Sequence, residues 1–212
     1  MDGQQDEYLE NKNIRMRSFR NRGIMDITFI RHGHGEHLVD YPYQLNGLHP
    51  GLTELGKRQV IALRKQVVVA PEDVILVSPT KRTIETALLL AENINLTFSP
   101  LVGPRMFPQN PDFVAYVCDQ TYSKEELSHK YPGIRMLDLG LDCWKESINQ
   151  MDAYRFKILA EQLLEWCRKQ RGNTFIISHD GTITSYRMLL GEIGLTRSDF
   201  LGEAGQYTMR NV

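Results

Sequence analysis

Arg31, His32 and Gly33 stand together directly after a short apolar run, Ile27–Ile30. A guanidinium offers a planar fork of donors for a phosphate. An imidazole offers a nitrogen nucleophile, and a glycine lets backbone come close to whatever binds. Two other places along the chain have the same character. Ser78, with Arg82 after it, ends the apolar run Val74–Val77, and His179-Asp180 ends the run Asn173–Ser178. Two guanidinium groups and two imidazoles around one point suit a phosphoryl group. The arginines neutralise its equatorial oxygens, one imidazole attacks phosphorus in line, and the other stabilises charge. Attack needs a neutral imidazole, and nearby arginines favour that form by disfavouring a second positive charge.

These groups converge only if the runs before them are neighbouring buried strands of a parallel sheet, whose carboxyl ends share one edge. Each run is short, apolar and rich in β-branched residues, which reads as a strand. The intervening segments read as helices. Leu52–Gly56 opens one that runs to about Val68, with Thr53 as N-cap. Another follows Ser78-Pro79 through about Asn93, with Ile84, Ala87, Leu88 and Ala91 on one face. The longest, Asn149–Arg171, carries the stripe Phe156, Leu159, Ala160, Leu163, Trp166 and Cys167 at core spacing. A last one runs from about Thr182 to Leu190. Short strands are expected near Asn95–Phe98 and at Gln206–Arg210, the latter antiparallel at an edge. The alternation predicts a three-layer α/β sandwich with a mainly parallel sheet. One domain, 24–212, carries a cap insertion at about 101–147, which holds Pro104, Pro108, Pro111 and Pro132 and one good helical window, Lys124–Lys130. His34–Gly51 reads as a long loop over the site. Residues 1–23 are a polar extension, acidic and then arginine-rich, read as a solvated tail or surface helix.

At 212 residues, 24% charged and a net charge of −1, the chain gives no electrostatic footprint for nucleic acid or an anionic membrane. Its cysteines, Cys118, Cys143 and Cys167, form no CxxC pair and read as reduced thiols of a cytoplasmic protein. No apolar run approaches the roughly 18–20 residues of a membrane span, and no signal-peptide core is seen at the N-terminus.

Four blocks in order, Arg31-His32-Gly33, Leu52-Thr53-x-x-Gly56-x-x-Gln59, Ser78-Pro79-x-x-Arg82-x-x-x-Thr86-Ala87 and Ser178-His179-x-Gly181, resemble the histidine phosphatase superfamily, in its phosphoglycerate-mutase-like branch. The resemblance spans Ile24 to about Leu190. It implies the phosphoglycerate-mutase-like fold and a phosphohistidine enzyme, with His32 as nucleophile and Arg31, Arg82 and His179 around the phosphate. The branch usually continues Glu-Thr-x-x-Asn after the glycine, whereas this chain reads His34-Gly35-Glu36-His37-Leu38, so Leu38 takes the place of a phosphate-contacting Asn. His49 stands where an acidic residue is common. The branch's proton-donating glutamate has no counterpart, since Leu101–Gln109 holds no Asp or Glu. The other branch carries an aspartate directly after its second histidine, and Asp180 occupies that place. Asp180 is therefore expected as the acid, with Glu36 and Asp112 in reserve and a helix N-cap as the plain alternative.

The expected activity is hydrolysis of a small phosphorylated substrate without metal or cofactor. Glu36, His37 and His49 are rim or substrate contacts, and Phe107 and Tyr116, with Tyr41 and Tyr43, are candidates for the mouth. Phosphoglycerate-mutase-type transfer fits less well, because the glutamate and the full first block are missing. A non-catalytic phosphate-binding module on the same fold is a second alternative. The third is a zinc hydrolase using the His32-Gly33-His34-Gly35-Glu36-His37 cluster, which leaves the Ser78–Ala87 block unexplained. No nucleic-acid or membrane partner is expected, and the oligomeric state is open, a dimer included.

Overall fold

The computed structural model describes residues 25–91, 95–110, 112, 114–140 and 143–212. The N-terminal extension, and the end of the second predicted helix, lie outside them. Six strands, β1 (Ile27–Arg31), β2 (Val74–Val77), β3 (Leu96–Phe98), β4 (Arg135–Met136), β5 (Thr174–Ser178) and β6 (Gln206–Met209), form one sheet in the order β4-β3-β2-β5-β1-β6. All pairings are parallel except that of β6 with β1, which is antiparallel at the edge as expected.

The inner strands β1, β2, β3 and β5 are buried on both faces, whereas the edge strands β4 and β6 are exposed, and alternate residues of the inner strands serve different cores. Ile27, Phe29, Leu76 and Ile176 pack on one side against α4 (Ala153–Arg168) and α5 (Asp180–Leu189), through Phe156, Leu163, Cys167, Ile183 and Tyr186. Ile30, Ile75, Val77, Phe175 and Ile177 pack on the other side against α1 (Glu54–Arg64) and α2 (Lys81–Leu90), through Val60, Leu63, Ile84 and Ala87. Three layers result. The remaining helix, α3 (Lys124–Lys130), occupies the predicted window and starts in a capping box between Ser123 and Glu126. Thr53 caps α1 by accepting from the Gly56 N–H, also as expected.

Strand β5 lies between β1 and β2, with Arg31 beside Ser178 and Val77 beside Ile177. The three chain segments that leave these strands therefore start side by side. That single register brings Arg31-His32, Ser78 and His179 to one edge.

Candidate active site

A cavity of about 180 Å³ opens at this edge, bordered by Arg31, His32, His37, Arg82, His179 and Asp180. Two helices begin here. His179 precedes the first residue of α5, and Arg82 lies in the first turn of α2. The positive ends of two helix dipoles add to the attraction for an anion. A wider depression of about 1060 Å³, bordered by Val74, Leu96 and Trp166, lies at the opposite edge and is reached by none of the six histidines.

Arg82 is the hub. It is buried, and it donates from Nε to His32 Nε2 (3.3 Å), from Nη1 to the Cys118 carbonyl (2.7 Å) and from Nη2 to His179 Nδ1 (3.3 Å) and Asp119 Oδ1 (3.1 Å). A guanidinium can only donate, so both contacted imidazole nitrogens are unprotonated. The His32 tautomer follows: Nδ1–H donates to the Gly33 carbonyl (2.7 Å), and Nε2 carries the lone pair. His179 has the opposite tautomer, with Nε2–H on Ser78 Oγ (2.9 Å). Both rings are held well below the ordinary imidazole pKa, first by burial and then by the Arg82 charge. Arginines thus favour the neutral rings as expected, but burial is the larger cause.

Arg31 donates Nη1–H to the Leu201 carbonyl (2.6 Å) and pairs through Nη2 with Asp180 Oδ2 (3.1 Å), while its buried Nε–H has no protein acceptor. Asp180 accepts through Oδ1 from the Gly181 N–H (2.7 Å). Both oxygens of the expected acid have partners, in Arg31 and the first turn of α5, just as both oxygens of Asp119 have partners in Arg82 and Asn149. The space beside Gly33 is filled by protein rather than left for a ligand, since a Cβ there would lie 2.7 Å from the Gly56 carbonyl oxygen. The motif residues without chemistry of their own fix this loop: Thr86 Oγ1 accepts from the Gly33 N–H and Gln59 Oε1 from the His34 N–H.

His37 borders the cavity and is buried, with burial and then Arg82 holding its pKa down to about 3. Glu36 and His49 are not brought there. Glu36 is exposed and accepts from the Gly51 N–H, and His49 stacks on Tyr122 at 4.0 Å. Nor does Asp112 border the cavity, whereas Phe107 and Tyr116 do and Tyr41 and Tyr43 do not. His34 Nδ1 bonds Thr53 Oγ1, and among the described residues no three His, Cys, Asp or Glu side chains are placed to hold a metal ion.

Asp119 is the residue that sequence reasoning missed. It sits in the turn Val117–Asp119, with Oδ1 on Arg82 and Oδ2 accepting from Asn149 Nδ2 (3.1 Å). Burial pushes its carboxyl pKa up, against the pull of Arg82. No motif marks it. The available signal is weak: Asp119 directly follows the apolar run Phe113–Cys118, but Asp112 directly precedes it and looks the same in sequence.

Three buried neutral imidazoles link stability to pH. The unfolded chain protonates His32, His37 and His179 near pH 6.5, while the folded chain does so only at lower pH. Their contribution is complete above pH 6.5 and is lost as pH falls. Unfolding free energy should decline with a slope approaching three protons, about 4 kcal/mol per pH unit from these groups. Urea titrations at pH 7 and 5.5 measure it, and His37→Gln should reduce the slope by about one proton.

Residues 27–102 match the model of the histidine phosphatase superfamily (branch 1). The fold is similar to that of the ecdysone phosphate phosphatase from Bombix mori, at 14% identity and a TM-score of 0.59 over 88% of this chain and 89% of that one. It is also similar to a phosphoserine phosphatase from Entamoeba histolytica (20%, TM-score 0.54, 86% and 89%) and to the alpha-ribazole phosphatase from Shigella flexneri (20%, TM-score 0.53, 87% and 89%). At these identities the likeness is one of fold. No curated protein matches the chain.

Proposed function

We propose that this chain, which carries the branch 1 histidine phosphatase sequence in residues 27–102 and the phosphoglycerate-mutase-like fold, hydrolyses phosphate monoesters through a phosphohistidine at His32. The observation that carries the reading is the Arg82 Nε–H aimed at His32 Nε2. An unprotonated Nε2 has a lone pair for phosphorus once the Arg82 N–H turns to the arriving phosphoryl oxygens, and a neutral, buried imidazole inside a cationic pocket is what a nucleophile toward phosphorus requires.

In this reading the phosphoryl oxygens take the Arg31 Nε–H and the Arg82 donors. His32 Nε2 forms a bond to phosphorus as the ester oxygen leaves. The Nδ1–H bond to the Gly33 carbonyl steadies the positive ring that forms. Asp119, its carboxyl hydrogen raised in affinity by burial and further by an arriving dianion, protonates the leaving oxygen. Water then attacks phosphorus, passes a proton back to Asp119, and the N–P bond breaks. Asp180 holds Arg31 in place. Segment 101–147, which supplies Phe107, Tyr116 and Asp119 to the cavity, serves as the cap.

The test is isolation of the phosphoenzyme. Brief reaction with a ³²P-labelled aryl phosphate and a quench in base, where phosphohistidine survives, should place label on His32. Turnover without any such label would end the reading. Activity should also persist after exhaustive chelation, as no step here asks for a Lewis acid. Loss restored by zinc or manganese, followed in a continuous p-nitrophenyl phosphate assay, would return attention to the His32, His34 and His37 cluster.

A further inference from the structure

His37 sits deep in the cavity wall with its ring centroid 5.6 Å from that of His32. Only 8% of the residue is exposed, and its Nδ1 is buried with no hydrogen-bond partner. No residue of the protein hydrogen-bonds either ring nitrogen among the described residues, and Nε2, unlike Nδ1, is not closed off from open space. The ring position is built in. A Cβ on Gly35 would lie 2.5 Å from both Nδ1 and Cε1 of His37, so the bare Gly35 backbone is the seat on which that edge rests. Nε2 does not take part in that contact, and the cavity is the open space that the residue borders.

The tautomer follows from the same packing. A buried N–H without an acceptor is rarer and costlier than a buried lone pair without a donor. The single proton of the neutral ring therefore belongs on Nε2, and Nδ1 keeps the unpaired lone pair. We propose that His37 is a phosphate-binding residue of this site, its Nε2–H donating to a phosphoryl oxygen beside His32. This rests on the hydrolase reading for the identity of the anion. A neutral donor suits the place, because burial and the charges of Arg82 and Arg31 disfavour a third cation there. It also gives the HGHGEH stretch a role without metal: His34 anchors the loop through Thr53, Glu36 ties it to Gly51, and His37 reaches inward.

The test compares two substitutions. His37→Phe keeps a ring on Gly35 without a donor, and His37→Gln replaces the ring by an amide whose Nε2–H reaches about as far. Binding of inorganic phosphate and orthovanadate is measured by calorimetry, and KM by p-nitrophenyl phosphate hydrolysis. Loss of a hydrogen bond to an anion should weaken phosphate binding and raise KM by roughly 10–100-fold in His37→Phe. His37→Gln should restore most of it, which a packing role would not. In the unaltered protein, the ¹⁵N signal of His37 Nε2 should move on saturation with phosphate, which keeps the assignment testable if His37→Phe fails to fold. Unchanged phosphate affinity in His37→Phe, or a His37 signal indifferent to phosphate, overturns the assignment. If affinity falls as expected but His32 never becomes labelled, the assignment stands and the hydrolase reading fails.

Discussion

His32→Ala should cut turnover of every phosphate monoester by roughly 10⁴-fold or more, the scale on which covalent enzymes suffer when their nucleophile is removed. The folded protein should still bind orthovanadate, because Arg31, Arg82 and His179 remain. The large loss is expected because His32 forms the bond to phosphorus in the proposed mechanism. His179, with its proton on Nε2 toward Ser78 and its Nδ1 on Arg82 Nη2, has there the role of stabilising charge, and the one unprotonated nitrogen of His37 rests against Gly35. The buried Cys118, its thiol pushed up to about 11, offers no thiolate at neutral pH. Since His32 is only 3% exposed and satisfies Arg82, the alanine variant also leaves a hole and an unpaired N–H, together costing a few kcal/mol, about 2–4. His32→Asn, which returns a polar group to Arg82, is the control for folding, and thermal melts with and without vanadate check both proteins. Near-wild-type turnover by either variant would sink the phosphohistidine mechanism.

The parts of the fold that sequence revealed are those with short-range physical signatures. The apolar runs that become β1, β2 and β5 end abruptly at charged or hydroxyl groups, and those ends meet at the candidate site. The helix at Lys124–Lys130 was legible because Ser123 and Glu126 form a local capping device. Two features could not be read this way. Strand β4 is only Arg135–Met136, paired with β3 through residues about forty positions earlier, and nothing local distinguishes it. Asp119 reaches the cavity because the turn Val117–Asp119 lies against Arg82, a contact 37 residues apart in the chain. Asp180 illustrates the converse. Its position directly after His179 was plain, but its partners depend on the close approach of β1 and β5, which puts Arg31 within 3.1 Å. Glu36 and His49 stand near His32 in sequence, yet the loop turns them away to Gly51 and Tyr122.

The roles of Asp119 and Asp180 should separate in a comparison of leaving groups. Hydrolysis of an alkyl phosphate such as glycerol phosphate expels a strongly basic alkoxide, so a positioned acid contributes roughly 10²–10⁴-fold. p-Nitrophenolate is far less basic and needs little protonation. Asp119→Asn should therefore lose about 10²–10⁴-fold on glycerol phosphate and much less on p-nitrophenyl phosphate, while His32 still becomes labelled from the aryl substrate. The substitution preserves shape, and a carboxamide oxygen can still accept from Arg82 Nη2, so folding is expected to hold. Asp180→Asn weakens the hold on Arg31 and acts before any bond to the leaving group is broken. It should slow both substrates by a similar factor and raise KM for both. The pH profile adds a second criterion, since a general acid controls the alkaline limb of kcat for the alkyl ester, and that limb should vanish in Asp119→Asn but persist in Asp180→Asn. If Asp180→Asn instead shows the selective loss on glycerol phosphate, then Asp180 is the donor and Asp119 only the counter-ion of Arg82. Equal slowing of both substrates by Asp119→Asn would assign it the same positioning role, leaving Glu36→Gln and Asp112→Asn to be run through the pair of assays.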